Sequence, residues 1–133
     1  MDILEKLKNK GYRITPARRE VYLALTTLPK TPEEIFIELK KKNVRIDPAS
    51  VYRNLGFFRK LNLINEVDFR DGRMRYELRV NNKHHHHLVC DDCGTVEDIP
   101  LDEKILLSQV ERKSKFRIER HELEFFGQCA SCQ

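Results

Sequence analysis

Apolar positions along the first sixty residues recur at helical intervals. Val21, Leu25 and Leu28 fall on one face of a stretch opened by Thr15-Pro16. Thr31-Pro32 opens a second, in which Ile35, Phe36, Ile37 and Leu39 supply the apolar bulk. Asp47-Pro48 opens a third, with Val51, Leu55, Phe58 and Leu61 in register. Each stretch begins with a good capping residue before a proline at the first helical turn, where a missing N–H has no helical partner to lose. A shorter helix over about residues 2–10 stops at Gly11. The period then changes. Residues 64–69 alternate, Asp71-Gly72 has the form of a two-residue hairpin turn, and residues 73–78 alternate again. Four helices followed by a two-stranded wing predict a winged helix-turn-helix, which offers its fourth helix to a DNA major groove.

The rest of the chain predicts a small α/β unit. A strand runs through Leu88 and Val89, and a second spans Gly94 to Ile99. A helix covers Leu101 to Lys113 with Ile105, Leu106 and Val110 apolar, and a long strand covers Phe116 to Phe126. The fold class is therefore α+β. Fifty residues bury too little core to stand easily alone, so a metal and dimerisation through the sheet are expected to support them.

Charge sharpens this division. The 133 residues carry a net +4, which says little. Residues 1–83 hold 19 Lys+Arg against 11 Asp+Glu, a net of +8, whereas residues 84–133 hold 6 against 10, a net of −4. The basic part suits nucleic acid. Ser50, Tyr52, Arg53 and Asn54 lie in the early turns of the fourth helix, where they can reach base edges or phosphates. Arg13, Arg18 and Arg19 flank the start of the second helix, and Arg70, Arg73 and Arg75 lie beside the wing turn. No apolar run approaches the ~20 residues of a membrane span. The N-terminus has no signal-peptide core, which predicts a cytoplasmic protein.

All four cysteines and all five histidines lie after residue 83. Cys90-x-x-Cys93 and Cys129-x-x-Cys132 supply four thiolates, the donor set of tetrahedral structural zinc. A disulfide or redox pair is the alternative, but cytoplasmic disulfides are rare. His84-His85-His86-His87 is the other cluster. In a strand, His84 and His86 face one way and His85 and His87 the other, so each pair can seed a separate metal site. Glu77, Asp98, Glu103 and His121 are the candidate completing ligands. Imidazole with carboxylate suits Zn2+, Fe2+, Mn2+ or Ni2+.

With these residues assembled, the chain resembles the ferric uptake regulator family of bacterial metal-responsive repressors. The resemblance rests on Gly11-Tyr12-Arg13-Ile14-Thr15 with Arg18, on Ser50-Val51-Tyr52-Arg53-Asn54-Leu55, on His84 through Cys93-Gly94, and on His121 through Gly127 to Cys129 and Cys132. It implies a winged-helix DNA-binding domain over residues 1–78, a hinge at 79–83 and a metal-binding dimerisation domain over 84–133. It implies DNA contacts from Arg13 in the minor groove and from Tyr52 and Arg53 at the recognition helix. It assigns structural zinc to Cys90, Cys93, Cys129 and Cys132, and a regulatory hinge metal to His85, His87, Glu77 and Asp98. A further site falls to His84, His86 and His121 with Glu103.

One departure stands out. Many members of the family carry a histidine just before the third helix, but this chain reads Leu28-Pro29-Lys30-Thr31 there and has no histidine in residues 1–83. The expected function is a homodimeric repressor of metal homeostasis that binds palindromic operator DNA when a regulatory divalent metal, Zn2+ or Fe2+ foremost, is bound. The alternatives are a peroxide-sensing repressor of the same family using iron or manganese, and a metal-storage or delivery protein without specific DNA binding. No HExxH motif is present, and a regulator rather than an enzyme is expected.

Overall fold

A computed structural model describes residues 2–79 and 85–133. The chain forms two units, Met1–Asn81 and Asn82–Gln133. The first contains α1 (Ile3–Asn9), α2 (Pro16–Ala24), α3 (Pro32–Lys41), α4 (Pro48–Lys60), β1 (Ile64–Asp68) and β2 (Met74–Leu78). The Thr-Pro and Asp-Pro signals act as caps. Thr15 Oγ1 accepts from the Arg18 N–H at 3.1 Å, Thr31 Oγ1 from Glu34 at 3.1 Å, and Asp47 Oδ1 from Ser50 at 2.7 Å. Each satisfies one of the N–H groups that a helix start leaves without a partner.

One hydrophobic core joins these elements. Leu4 and Leu7 of α1 meet Val21 and Ala24 of α2, Ile35 and Leu39 of α3, Val51, Leu55 and Phe58 of α4, and Ile64 of β1. Ile37 points outward, as its two-residue offset from Ile35 requires, and is exposed. Leu28 is also exposed, contrary to its expected place on the second helix: α2 ends at Ala24, and Leu28 lies in the loop beyond it. Phe58, with no exposed surface, sits at the centre. Phe58→Ala is expected to lower the stability of the first unit by about 3–5 kcal/mol, the usual cost of emptying an aromatic core site. Denaturant titration followed by circular dichroism measures it, and a loss below about 1 kcal/mol would contradict this packing.

The hairpin departs from expectation. Strands β1 and β2 pair antiparallel from Ile64↔Leu78 to Asp68↔Met74, so residues 69–73, not Asp71-Gly72 alone, make the connection. The reason is Phe69, which turns inward beneath the Arg75 guanidinium, 5.0 Å from its ring centre. Arg75 also clasps both carboxylate oxygens of Asp71, at 3.0 and 2.8 Å. Arg70 and Gly72, both at positive φ, absorb the longer reversal. Lys30 pairs with Tyr76 through two backbone hydrogen bonds, of 3.0 and 2.8 Å, which fasten the hairpin to the start of α3.

The second unit contains β3 (His86–Cys90), β4 (Val96–Ile99), α5 (Lys104–Lys113) and β5 (Glu124–Gly127). Its sheet has the order β4-β3-β5, with β3 antiparallel to β4 and parallel to β5. The long strand expected from Phe116 is confined to Glu124–Gly127. Pairing stops there because β3 begins at His86, whose ring takes up the Leu123 carbonyl at 2.9 Å. The helix starts at Lys104, later than expected, since Asp102 and Glu103 are occupied otherwise: Asp102 accepts from the Lys104 N–H, and Glu103 contacts His86 and His121. No residue of α5 is buried, and Ile105, Leu106, Val110 and Phe116 stand exposed. No helix of the described residues is long and apolar enough to cross a membrane.

Candidate metal centres and nucleic-acid interface

The cysteine cluster follows from sheet topology. Because β3 and β5 run parallel with Cys90 opposite Gly127, both strands end on the same edge. The chain leaving β5 therefore delivers Cys129 and Cys132 beside the Cys90–Cys93 turn. Gly94, at φ 77°, supplies the left-handed residue that this turn needs. The four sulfurs lie within 4.8 Å of one another, and Cys93 Sγ is 3.7 Å from Cys129 Sγ. Zn–S bonds of ~2.3 Å at tetrahedral angles place sulfurs roughly 3.8 Å apart, whereas a disulfide needs about 2.05 Å.

The electrostatics agree. The N–H groups of Cys129 and Cys93 point at Cys90 Sγ, at 3.3 and 3.5 Å, and draw its thiol down to about 6. Cys132, crowded by the sulfurs of Cys129, Cys90 and Cys93, is pushed up to about 12. Four such sulfurs ionise together only around a cation, so the cluster fits structural zinc.

The β3–β4 register builds a second cluster. His87 lies directly opposite Asp98, and His85, two residues back, shares the face of His87, with ring centres 5.0 Å apart. The Nε2 atoms of His85 and His87 stand 3.8 and 3.6 Å from Asp98 Oδ1. These distances are too long for hydrogen bonds, and Asp98 Oδ1 has no hydrogen-bond partner among the described residues although it is buried. Two imidazoles converging on an unsatisfied carboxylate oxygen is the arrangement a divalent cation completes. Glu77 lies on β2 of the first unit and is buried.

His86, on the opposite face of β3, belongs to a third cluster with Glu103 and His121. It is 2% exposed. Its Nδ1 faces the Leu123 carbonyl, which can only accept, so Nδ1 carries the proton. Its Nε2 faces Glu103 Oε1, and Glu103 Oε2 stands 2.9 Å from His121 Nε2. An imidazole nitrogen and a carboxylate oxygen held face to face need a proton or a metal between them. His84, expected at this site, falls outside the described residues, as does the expected hinge apart from Arg79.

The candidate DNA-contacting residues lie on the first unit. Arg13, Tyr52 and Arg53 are exposed, and Arg18 and Ser50 are half-buried. Arg53 Nη2 donates to Ser50 Oγ at 2.9 Å. The Tyr52 hydroxyl donates to Glu33 Oε1 at 2.7 Å. Periodicity and charge did not point to Glu33, because the contact joins residues 19 apart on different helices. This hydrogen bond holds the Glu33 carboxyl below its ordinary value and pushes the Tyr52 phenol up. In Glu33→Gln the Tyr52 phenol is therefore expected to ionise at lower pH than in the native protein. NMR of 13C-labelled tyrosine follows this, and an unshifted titration would show that the bond does not form in solution.

A model of the ferric uptake regulator family matches residues 9–126. The chain belongs to that family. A ferric uptake regulation protein of Bacillus subtilis is 35% identical over 98% of this chain and 91% of its own length. A peroxide-responsive repressor of Staphylococcus saprophyticus is 31% identical over 99% of this chain and 90% of its own. Among solved structures, the Helicobacter pylori ferric uptake regulator, described as having three functional metal-binding sites, superposes with a TM-score of 0.78. It is 28% identical and is covered over 98% of this chain and 88% of that one. As a ferric uptake regulator family member, this chain gathers metal-type ligands around β3: Cys90 joins the other three cysteines, His87 lies opposite Asp98, and His86 meets Glu103 and His121 on the other face.

Proposed function

We propose that this protein is a metal-dependent transcriptional repressor that binds palindromic operator DNA as a homodimer. The carrying observation is the convergence of His85, His87 and Asp98 on a position separate from the four-cysteine cluster. In this reading Cys90, Cys93, Cys129 and Cys132 hold structural zinc. His85, His87 and Asp98 hold the regulatory metal, a role that the family resemblance extends to Glu77 across a hinge at 79–83. His86, Glu103 and His121, with His84, hold a further ion. Family membership and the net +8 of residues 1–83 support DNA binding by a winged helix-turn-helix, with α4 as the recognition helix. The exposed apolar row on α5 and the exposed Phe125 and Phe126 of β5 support a dimerisation surface.

The mechanism is linkage. A metal that binds better to the DNA-competent dimer strengthens operator binding, and the operator strengthens metal binding by the same factor. Operator affinity measured while Zn2+, Fe2+, Mn2+ and Ni2+ are titrated in turn tests this, with elemental analysis of the protein as isolated. Metal-independent operator affinity would overturn the switch. Metal binding without any preference for operator over scrambled DNA would favour storage or delivery.

A second reading is peroxide sensing. By the family resemblance, Asp98 is the residue type of peroxide-sensing members, and a peroxide-responsive relative matches over nearly the whole chain. It requires that iron and peroxide add one oxygen to His85 or His87, which peptide mass spectrometry detects.

A further inference from the structure

The Arg18 guanidinium makes three internal contacts, each to a different part of the DNA-facing surface. Its Nε–H donates to Asn54 Oδ1 at 2.8 Å. Its Nη1 donates to the Arg13 carbonyl, also at 2.8 Å. Its plane lies over the Phe57 ring, 3.6 Å from the centre. Asn54 is itself fixed, since its Nδ2 donates to the Ser50 carbonyl at 2.8 Å and the residue is 7% exposed. Phe57 meets Tyr12 edge to face, with centroids 5.6 Å apart. One cation thus joins the Tyr12-Arg13 segment to Asn54 and Phe57 of α4, the helix that carries Tyr52 and Arg53, with Phe57 one turn beyond Arg53.

Resting on the DNA-binding reading above, we propose that Arg18 is a positioning residue for operator recognition. It fixes the backbone of Arg13 at a set offset from the recognition helix, so that Arg13 and the Tyr52–Arg53 pair engage neighbouring stretches of the duplex as one rigid unit. An exposed arginine on a free loop would lose conformational entropy on every binding event. Arg18 removes the backbone share of that cost in advance. The guanidinium suits this role because it donates in two directions in one plane while stacking on an aromatic face. A lysine ammonium cannot do all three.

The test is a double-mutant cycle on operator affinity in the metal-loaded, full-length dimer, using Arg13→Ala, Arg18→Gln and the pair, at several salt concentrations. Each single variant is expected to weaken operator binding by about 10- to 100-fold, and the pair to bind within about threefold of either single. Arg18→Lys is expected not to restore affinity. Two results would overturn the proposal. Multiplicative losses, with a further drop of ~0.9 in the salt slope when Arg18 is removed from the Arg13→Ala background, would make Arg18 a direct phosphate contact. Native operator affinity in Arg18→Gln would make it a packing residue only. Asn54→Ala, which removes one of the three contacts and leaves the charge, gives an intermediate loss if Arg18 acts through position. Failure of the native protein to bind operator at all would instead sink the functional reading.

Discussion

Replacing Cys129 with serine is expected to unfold residues 82–133 while leaving the first unit folded. The second unit has little apolar interior of its own: among its described residues only His86, His87 and Cys90 are buried, and no residue of α5 is fully buried. A monomer of this unit cannot offset the chain entropy of some fifty residues, which costs on the order of 1–2 kcal/mol per residue for the backbone alone. Structural zinc supplies on the order of 10 kcal/mol of folding free energy in small domains, because the unfolded chain has no preformed site. Cys129 sits at the critical place, its N–H on Cys90 Sγ and its own sulfur 3.7 Å from Cys93 Sγ. Serine removes one thiolate and leaves three sulfurs that no longer close a tetrahedron. The measurement is two-dimensional amide NMR of the variant and of native protein stripped by a strong chelator. Signals of residues 2–79 are expected to keep their dispersion, and those of 85–133 to collapse toward random-coil values. A variant that keeps both sets dispersed would show that the four sulfurs are not a structural centre.

Local signals and long-range ones were legible to very different degrees. Helices α2, α3 and α4 could be placed from sequence because each start is specified within four residues, by Thr15, Thr31 or Asp47 and the proline that follows it. The cysteine pairs were legible because a two-residue spacing constrains both sulfurs whatever the fold around them. The separation of His86 from His85 and His87 followed from strand alternation alone. The errors arose where tertiary contacts decide. The alternation from Phe116 onward has a strand's period, yet only residues 124–127 find a partner, because β3 is five residues long. The hairpin connection grew from two residues to five because Phe69 is worth more buried than exposed. Arg18 was legible as a cation near a helix start, but its contacts to Asn54, Phe57 and the Arg13 carbonyl depend on how α2 crosses α4.

His87→Ala is expected to abolish the metal dependence of operator binding while sparing the fold. Its imidazole is 8% exposed and lies opposite Asp98 on the neighbouring strand, with Nε2 3.6 Å from the unsatisfied Oδ1. Removing it leaves His85 and Asp98 of this unit as a bidentate remnant. Losing a group that merely orients a ligand costs 10–100-fold in metal affinity, so losing a ligand itself is expected to cost at least about 100-fold. The coupling between metal and operator falls by the corresponding amount, since linkage ties the two affinities together. The four-cysteine cluster lies at the other end of β3 and keeps its donors, and so does the His86, Glu103 and His121 cluster, so metal content falls by one ion per chain and the thermal midpoint changes little. Elemental analysis, metal titration and operator binding on one preparation separate the outcomes. Metal-dependent repression surviving in His87→Ala would place the switch at His86, Glu103 and His121. A variant that loses zinc and unfolds would show that His87 serves the structure rather than the switch.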